Sequence, residues 1–68
     1  MGKIADRIRS LREDRKMTQK QIADKLGLSI NAVSQWERGI CVPSAETVIE
    51  LCSLFECSAD YLLGISDF

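Results

Sequence analysis

The amino-acid sequence predicts an all-α fold, a compact bundle of five helices. The chain has 68 residues, of which 46% are apolar and only one is proline. It is therefore long enough for one hydrophobic core and too apolar to stay disordered. Serine or threonine repeatedly precedes apolar residues at helical spacing, and three such segments end at glycine. No segment alternates polar and apolar residues as a strand would.

The first two helices are predicted from an apolar stripe and from a capping pattern. The stripe has the spacing i, i+4, i+7 in a helix over about residues 3–15 and consists of Ile4, Ile8 and Leu11. Thr18 is expected to cap helix 2, and Gln21 completes a T-x-x-Q capping box. Gly27 can adopt the left-handed conformation that ends a helix.

The same signals predict the other three helices. Ser29 and Gly39 are expected to bound helix 3. Ser44 opens helix 4, and Ser58 and Gly64 bound a short helix 5. Helix 4 carries six apolar side chains for the core, namely Val48, Ile49, Leu51, Cys52, Leu54 and Phe55.

Charge differs between the two halves of the chain. The net charge is −1 and the pI is about 5.2, which alone argues against a nucleic-acid partner. However, residues 1–38 hold all nine Lys and Arg with five acidic residues, and residues 39–68 hold five acidic residues and no base. This separation predicts a basic face and an acidic end.

Helices 2 and 3 form a predicted helix-turn-helix, because two short helices are joined by a tight turn at Gly27-Leu28-Ser29. In this arrangement the second helix can enter the major groove of DNA. Helical spacing divides helix 3 into two faces. The expected inner face holds Val33, Trp36 and Glu37, with Ile40 just beyond. The outer face holds Ile30, Asn31, Ser34, Gln35 and Arg38.

The outer face suits contact with base edges. Asn31 and Gln35 can each form a bidentate pair with adenine, and Ile30 can contact a thymine methyl group. Ser34 lies beside them and is the fourth candidate for contacting bases. The alternative is an ordinary solvated helix face, which the preceding helix and turn make less favoured.

Phosphate contacts are predicted at the starts of helices 2 and 3. Gln19 and Ser29 place polar side chains beside backbone N–H groups that attract anions. Lys20 and Arg38 would add positive charge, as could Arg12 or Lys16. Surface solubility is taken as a sufficient explanation for four other basic residues, to which no individual DNA contact is assigned: Lys3, Arg7, Arg9 and Lys25.

Glu37 is an acid on the inner face, and a buried carboxylate needs a partner. Arg12, near the Ile8 and Leu11 stripe, is the expected partner. The alternative, an exposed Glu37 beside DNA, would be repulsive. Trp36 is expected in the core rather than stacked on a base.

The segment TQKQIADKLGLSINAVSQWERGICVPSAETVIELCSLFECSADYLLG resembles the Cro and lambda-repressor type of helix-turn-helix family, often called the XRE family. The likeness extends from Ile4 to Gly64 and implies a five-helix, lambda-repressor-like bundle that binds operator DNA, usually as a dimer on a palindrome. It also implies a phosphate contact for Gln19, base contacts for Asn31 and Gln35, and an internal salt bridge between Arg12 and Glu37. Ile30 also matches a base-contacting position, although some relatives have a polar residue there. We expect one domain over residues 1–68, with a core at 4–64 and a tail at 65–68; many relatives carry a further domain, so the chain could be a whole regulator or part of one.

The leading functional hypothesis is a sequence-specific regulator of transcription that binds double-stranded DNA and acts as a repressor, because repression needs only occupancy of a promoter. The alternative is a protein-interaction module, such as an antitoxin or the target of an anti-repressor. Its support is an apolar set in the acidic end that could equally form a homodimer: Leu54, Leu63, Ile65 and Phe68. An enzyme is not expected, since histidine is absent and no catalytic pattern occurs.

Cysteine usage and hydropathy predict a cytoplasmic protein without cofactor, metal or evident small-molecule site. The three cysteines, Cys41, Cys52 and Cys57, form no C-x-x-C pair and are expected to be reduced, small apolar residues. A zinc site would need a fourth ligand. The apolar runs are much shorter than the roughly 20 residues that span a bilayer.

Overall fold

Five helices occur in the computed structural model, which describes residues 3–67. They are α1 (Lys3–Asp14), α2 (Gln19–Leu26), α3 (Ile30–Glu37), α4 (Ala45–Phe55) and α5 (Ala59–Leu62). The predicted all-α class and the number of helices are confirmed for this range. None of these helices combines the length and the apolar character needed to cross a membrane.

The start and end of α2 form as the sequence predicts. The Thr18 hydroxyl accepts a hydrogen bond from the backbone N–H of Gln21 at 3.1 Å. In return, the Gln21 side-chain oxygen accepts from the backbone N–H of Thr18 at 2.8 Å. Gly27 ends the helix with φ 71°, in the left-handed region. These bonds satisfy backbone groups that the first and last turns would otherwise leave unpaired.

The other caps agree with the prediction except at one serine. Ser44 and Ser58 accept hydrogen bonds from the backbone N–H groups of Thr47 and Tyr61. Ser29 has the extended backbone of an N-cap, but its side chain makes no capping hydrogen bond. The expected capping role of the Ser29 side chain is therefore wrong, and its hydroxyl stays exposed at the start of α3.

The core draws side chains from all five helices. Its largest fully buried members are Ile8, Ile22, Val33, Leu51, Phe55 and Leu62. Two residues expected in or beside it are exposed instead: Ile49 is 70% exposed and Ile40 is 61% exposed. Ile49 lies one residue past the buried Val48 on α4, which turns it toward solvent. Ile40 follows Gly39, whose φ of 75° ends the helical path, so the spacing rule no longer applies there.

Basic side chains of α1 tie this helix to the C-terminal end of the fold. Arg7 donates to the backbone carbonyls of Tyr61 at 3.0 Å and Ser66 at 3.2 Å. Its guanidinium also lies 4.0 Å from the centre of the Tyr61 ring. Arg15, in the turn just after α1, donates to the carbonyl of Phe55 at 2.7 Å. Solubility is thus not a sufficient explanation for Arg7, because tertiary contacts hold its side chain.

The packing of α1, α2 and α3 sets the position of the helix-turn-helix. Helix α3 packs against both α2 and α1, and α5 packs against α1 and α4. The inner face of α3 is fixed by this packing, since Val33 is fully buried and Trp36 is 4% exposed. The opposite face of α3 is left on the surface.

Candidate nucleic-acid interface

The outer face of α3 presents a run of accessible side chains, as its spacing predicts. Ile30 is 48% exposed, and Ser34 is partly buried. The other members of this face are exposed: Asn31, Gln35 and Arg38. They lie along one side of a helix whose other side is anchored in the core. A rigid helix with a free polar face can present donors and acceptors in a fixed order.

Glu37, at the end of α3, has a side chain that is 1% exposed and lies in a cluster of donors. Arg12 donates through Nε to Oε2 at 2.6 Å and through Nη2 to Oε1 at 3.0 Å. The third nitrogen of Arg12, Nη1, donates to the backbone carbonyl of Met17 at 2.9 Å. The structure thus brings Arg12 and Glu37 together as a bidentate pair. All three guanidinium nitrogens of Arg12 thus donate hydrogen bonds within the protein. Arg12 is therefore less suited to the phosphate contact that was considered for it from the sequence.

The contacts of Glu37 stabilise its charged form. Burial alone would raise the pKa of the Glu37 carboxyl, but hydrogen bonds from Arg12 and Gln19 outweigh burial, and the pKa lies below its ordinary value of 4.5. The pKa of Arg12 is raised, chiefly by its hydrogen bond to Glu37. Both groups therefore stay ionised at neutral pH. The two groups keep their charges, and each charge is balanced by the other.

Gln19, the first residue of α2, takes part in the same cluster. Its Nε2 donates to Glu37 Oε1 at 3.1 Å. The side chain is partly buried, at the junction of α2 with the end of α3. Neither the backbone N–H of Gln19 nor that of Lys20 has an acceptor among the described residues. This end of α2 therefore has unpaired donors, an arrangement that favours an anion.

Arg9 also belongs to this cluster, although solubility was the role considered for it from the sequence. Its Nη2 donates to the backbone carbonyl of Glu37 at 3.2 Å, and its Nε lies 3.5 Å from Glu37 Oε1. The side chain is still 50% exposed. One signal could have indicated this position, because residues i and i+3 share a helix face and Arg9 precedes Arg12 by three.

The remaining phosphate candidates lie on the surface with weak contacts or none within the described residues. Lys20 pairs with Asp24 at 3.1 Å, but both side chains are more than 60% exposed, so the pair is weak. Arg38 and Ser29 are exposed at the two ends of α3. Their side chains can therefore turn toward a ligand at little cost.

Cys41 contacts the outer face of α3 from the loop that follows it. Its sulfur lies 3.5 Å from Gln35 Oε1, within reach of a weak thiol hydrogen bond. The sequence offered no sign of this contact, because the path of the loop after Gly39 depends on tertiary packing. Cys41 is a free thiol, and it is exposed.

Cys52 and Cys57 agree better with the prediction of small apolar residues. Both are free thiols, partly buried against the core. Burial raises the pKa of the Cys57 thiol, and the neighbouring Cys52 adds to this effect. The reactive thiolate is therefore disfavoured at Cys57.

The apolar set expected at the C-terminal end is only partly on the surface. Leu54 and Leu63 are partly buried and pack against the core. Ile65 is 73% exposed. Phe68, the fourth member, lies outside the described residues.

Comparison with known proteins gives consistent matches over most of the chain. Residues 8–62 match the protein family described as helix-turn-helix. The chain is 38% identical over 60 residues to repressor protein C2 of Salmonella phage P22, covering 88% of this chain and 28% of that protein. It is also 38% identical over 60 residues to the HTH-type transcriptional regulator DicA of Escherichia coli (strain K12), covering 88% and 44%. The chain thus spans less than half the length of these two relatives.

A solved structure agrees with the match to the phage protein. The crystal structure of the P22 c2 repressor in complex with synthetic operator 9T superposes with a TM-score of 0.83 at 38% identity. The superposition covers 88% of this chain and 91% of that one. The two proteins therefore share the fold over nearly all of both chains.

Proposed function

Because the chain belongs to the helix-turn-helix family of the Cro and lambda-repressor type, we propose that it is a regulator of transcription that binds a specific double-stranded DNA sequence and represses. The observation that carries this proposal is the exposed outer face of α3, in a fold that matches a repressor in complex with its operator. In this proposal α3 enters the major groove, and α2 crosses the DNA backbone.

Base contacts are assigned to Ile30, Asn31, Ser34 and Gln35. Their support is position and chemistry. Ile30 and Asn31 begin α3, the end that comes nearest to base edges in this arrangement. Gln35 is exposed one turn further along, and its amide can pair with adenine N6 and N7. Ile30 is apolar and half exposed, which suits a thymine methyl group.

Phosphate contacts are assigned to Gln19, Lys20, Ser29 and Arg38. Gln19 and Lys20 lie at the start of α2, where backbone N–H groups lack an acceptor within the described residues. Ser29 and Arg38 flank α3 and are exposed. Such contacts position the protein on the duplex without selecting its sequence.

The deciding experiment is selection of bound duplexes from a random pool, followed by salt titration on selected and random DNA. We expect an enriched site, and log affinity that falls with log salt by about 0.9 per phosphate contact. Absence of binding to any duplex at low salt would overturn the proposal. A reporter promoter carrying the selected site then tests repression, for which reduced transcription is expected; increased transcription would indicate an activator.

We further propose that the protein binds a palindromic operator as a homodimer through its C-terminal region. The support is the exposed Ile65, together with the edges of Leu54 and Leu63; Phe68 is included from sequence alone. The same set could bind a different protein, and the packing of Leu54 and Leu63 against the core limits the free area for either partner.

Sedimentation of the protein with a palindromic duplex tests the dimer. Two chains are expected on each duplex, and Ile65→Asp should reduce this to one, because a charge would be buried in the interface. Ile49→Asp is the matched control, since Ile49 is similarly exposed at 70% but lies on α4. Loss of the dimer with both variants, or with neither, would contradict the assignment.

A further inference from the structure

We infer that Glu37 is a positioning residue for DNA binding, because its buried carboxylate orients the amide of Gln19 toward the phosphate backbone. This inference rests on the proposed DNA-binding function. It assigns Glu37 a task beyond the stability of the fold, and it links the phosphate contact on α2 to the end of the helix that contacts bases.

The chemistry of the carboxylate fixes which way the Gln19 amide faces. Glu37 Oε1 already accepts from Arg12 Nη2 at 3.0 Å, and Gln19 Nε2 lies 3.1 Å from the same oxygen. An ionised carboxylate can only accept hydrogen bonds, so the nitrogen of the amide must face it and the amide oxygen must face away. The bond therefore selects one of the two amide orientations that would otherwise be nearly equivalent.

This orientation matches the needs of a phosphate. Nε2 has two hydrogens, and Glu37 accepts one of them. The second hydrogen stays available at the start of α2, where the backbone N–H groups of Gln19 and Lys20 also have no acceptor among the described residues. A phosphate oxygen accepts and does not donate, so these donors form a matched set. A freely rotating Gln19 would instead present its oxygen part of the time and repel the phosphate.

The negative charge of Glu37 does not prevent an anion from approaching. Two guanidinium groups surround the carboxylate, Arg12 in a bidentate pair and Arg9 at 3.5 Å. The cluster therefore has a net positive charge. Arg9 is the half-exposed member, so this excess charge faces solvent, where DNA would lie.

The contact also connects two elements. Gln19 is the first residue of α2, and Glu37 is the last residue of α3. The position of a phosphate bound by Gln19 is thus fixed relative to α3, the helix that bears the base contacts. Lys20 lacks such a link, because its partner Asp24 lies on its own helix.

A double-mutant cycle on DNA affinity tests the inference. The background variant is Arg12→Met/Glu37→Met, which replaces the ion pair with apolar side chains, since such replacement often preserves a fold. In the unaltered protein, Gln19→Ala should weaken binding to every duplex about tenfold, the effect of a lost hydrogen bond to a charged group. In the background variant, where Gln19 has lost its acceptor, the same substitution should weaken binding by less than about twofold.

The matched control is Lys20→Ala, which should cause the same loss in both backgrounds, because Lys20 does not contact Glu37. Equal effects of Gln19→Ala in the two backgrounds would overturn the inference, as would a smaller effect of Lys20→Ala in the background variant. If the unaltered protein binds duplex DNA but Gln19→Ala changes nothing, the inference fails and the proposed function stands. If the unaltered protein binds no duplex, the proposed function fails.

NMR of the unaltered protein provides a second test that does not depend on the folding of a variant. The two side-chain amide protons of Gln19 should exchange with water more slowly than those of the exposed Gln35, because one of them is bonded to a buried carboxylate. Equal exchange for the two glutamines would contradict the assigned orientation.

Discussion

Glu37 is buried, yet each of its carboxylate oxygens has a charged donor. Oε2 accepts from Arg12 at 2.6 Å, and Oε1 accepts from Arg12 and Gln19. None of the fully buried side-chain nitrogen or oxygen atoms of residues 3–67 lacks a hydrogen-bond partner. The ion pair is therefore costly to break on one side only, since an uncompensated charge would remain inside the protein.

Removing the guanidinium of Arg12 should strongly destabilise the fold. We expect Arg12→Ala to lower the free energy of unfolding by about 3–5 kcal/mol, because the substitution leaves Glu37 buried without its main partner. Urea denaturation measures this change. Lys25→Ala is the control and should stay within about 0.5 kcal/mol, because Lys25 is exposed. An unchanged midpoint for Arg12→Ala would show that the pair does not stabilise the fold.

The lowered pKa of Glu37 predicts a loss of stability in acid. The folded carboxyl binds its proton at a lower pH than the unfolded one, so its contribution to stability is complete above the unfolded pKa, for which the ordinary value is 4.5. This contribution disappears as pH falls through the folded pKa, which lies below 4.5. The free energy of unfolding is measured as pH is lowered from about 7 to about 2.5. It should fall more steeply in acid for the unaltered protein than for Arg12→Met/Glu37→Met. Parallel curves would refute the linkage.

Single substitutions should separate base contacts from phosphate contacts. Gln35→Ala is expected to cost about 1–3 kcal/mol on the selected site and to relax the preference at one base pair. Lys20→Ala should weaken binding to all sequences alike and reduce the salt slope by about one contact. Affinities on the selected site and on its single-base variants measure both effects. An unchanged sequence preference for Gln35→Ala would remove Gln35 from the base contacts.

At the scale of the helices, the sequence predicts best what is determined locally. The capping box of Thr18 and Gln21, the serine caps of α4 and α5, and the glycine end of α2 each depend on residues within one turn. Such signals leave a direct mark on the sequence. By contrast, the turns after α1 and α4 contain Lys16 and Glu56, which have positive φ values of 57° and 55° without being glycine. Because glycine is the usual signal for this conformation, the sequence does not indicate these two turns.

The candidate site follows the same division. The two faces of α3 could be predicted because helical spacing fixes which side chains share a side. The pairing of Arg12 with Glu37 could be proposed because a buried acid needs a base. The contact of Gln19 with Glu37 could not be predicted, because a neutral amide does not require a charged partner as a buried acid does. Arg9 could have been noticed from its place beside Arg12 on α1, but its bond to the backbone carbonyl of Glu37 leaves no mark on the sequence. The direction of the loop after Gly39 was equally inaccessible, and this is why Ile40 was wrongly expected to be near the core.

Thr18 and Ser29 offer a matched pair for testing the caps. Thr18→Ala should lower the free energy of unfolding by about 1 kcal/mol, because it removes one hydrogen bond of the capping box. Ser29→Ala should change stability by less than about 0.5 kcal/mol, because its hydroxyl makes no capping bond. Thermal unfolding of both variants measures the difference. Equal losses would mean that Ser29 caps α3 in solution.

Across the whole molecule, the beginning of α1 lies against the segment that follows α5. A Cβ atom added at Gly64 would clash with the Cβ of Lys3. Arg7 strengthens this contact by donating to the carbonyls of Tyr61 and Ser66. The fold is thus closed by contacts between residues about 60 positions apart in sequence, a separation that Arg7 and Ser66 illustrate.

Gly64 is therefore constrained by both conformation and space, whereas Gly27 is constrained by conformation alone. Gly27→Ala should cost roughly 1 kcal/mol, since its φ is 71° and the space around it is open. Gly64→Ala should cost at least about 1 kcal/mol more, because α1 must move to admit the methyl group. Chemical denaturation of the two variants measures the difference. Equal costs would show that α1 yields freely at this point.

The closeness of Lys3 and Gly64 also allows a circular permutation, in which the helices keep their arrangement in space but follow one another in a different order along the chain. A short linker could join the segment after Gly64 to the start of α1 with little distortion, and new ends could be opened in the exposed segment at residues 40–42. The permuted chain would begin with α4 and finish with α3, so the helix proposed to enter the groove would be made last. A comparison of its refolding rate with that of the original chain would show whether α3 forms after the rest of the core or takes part in forming it.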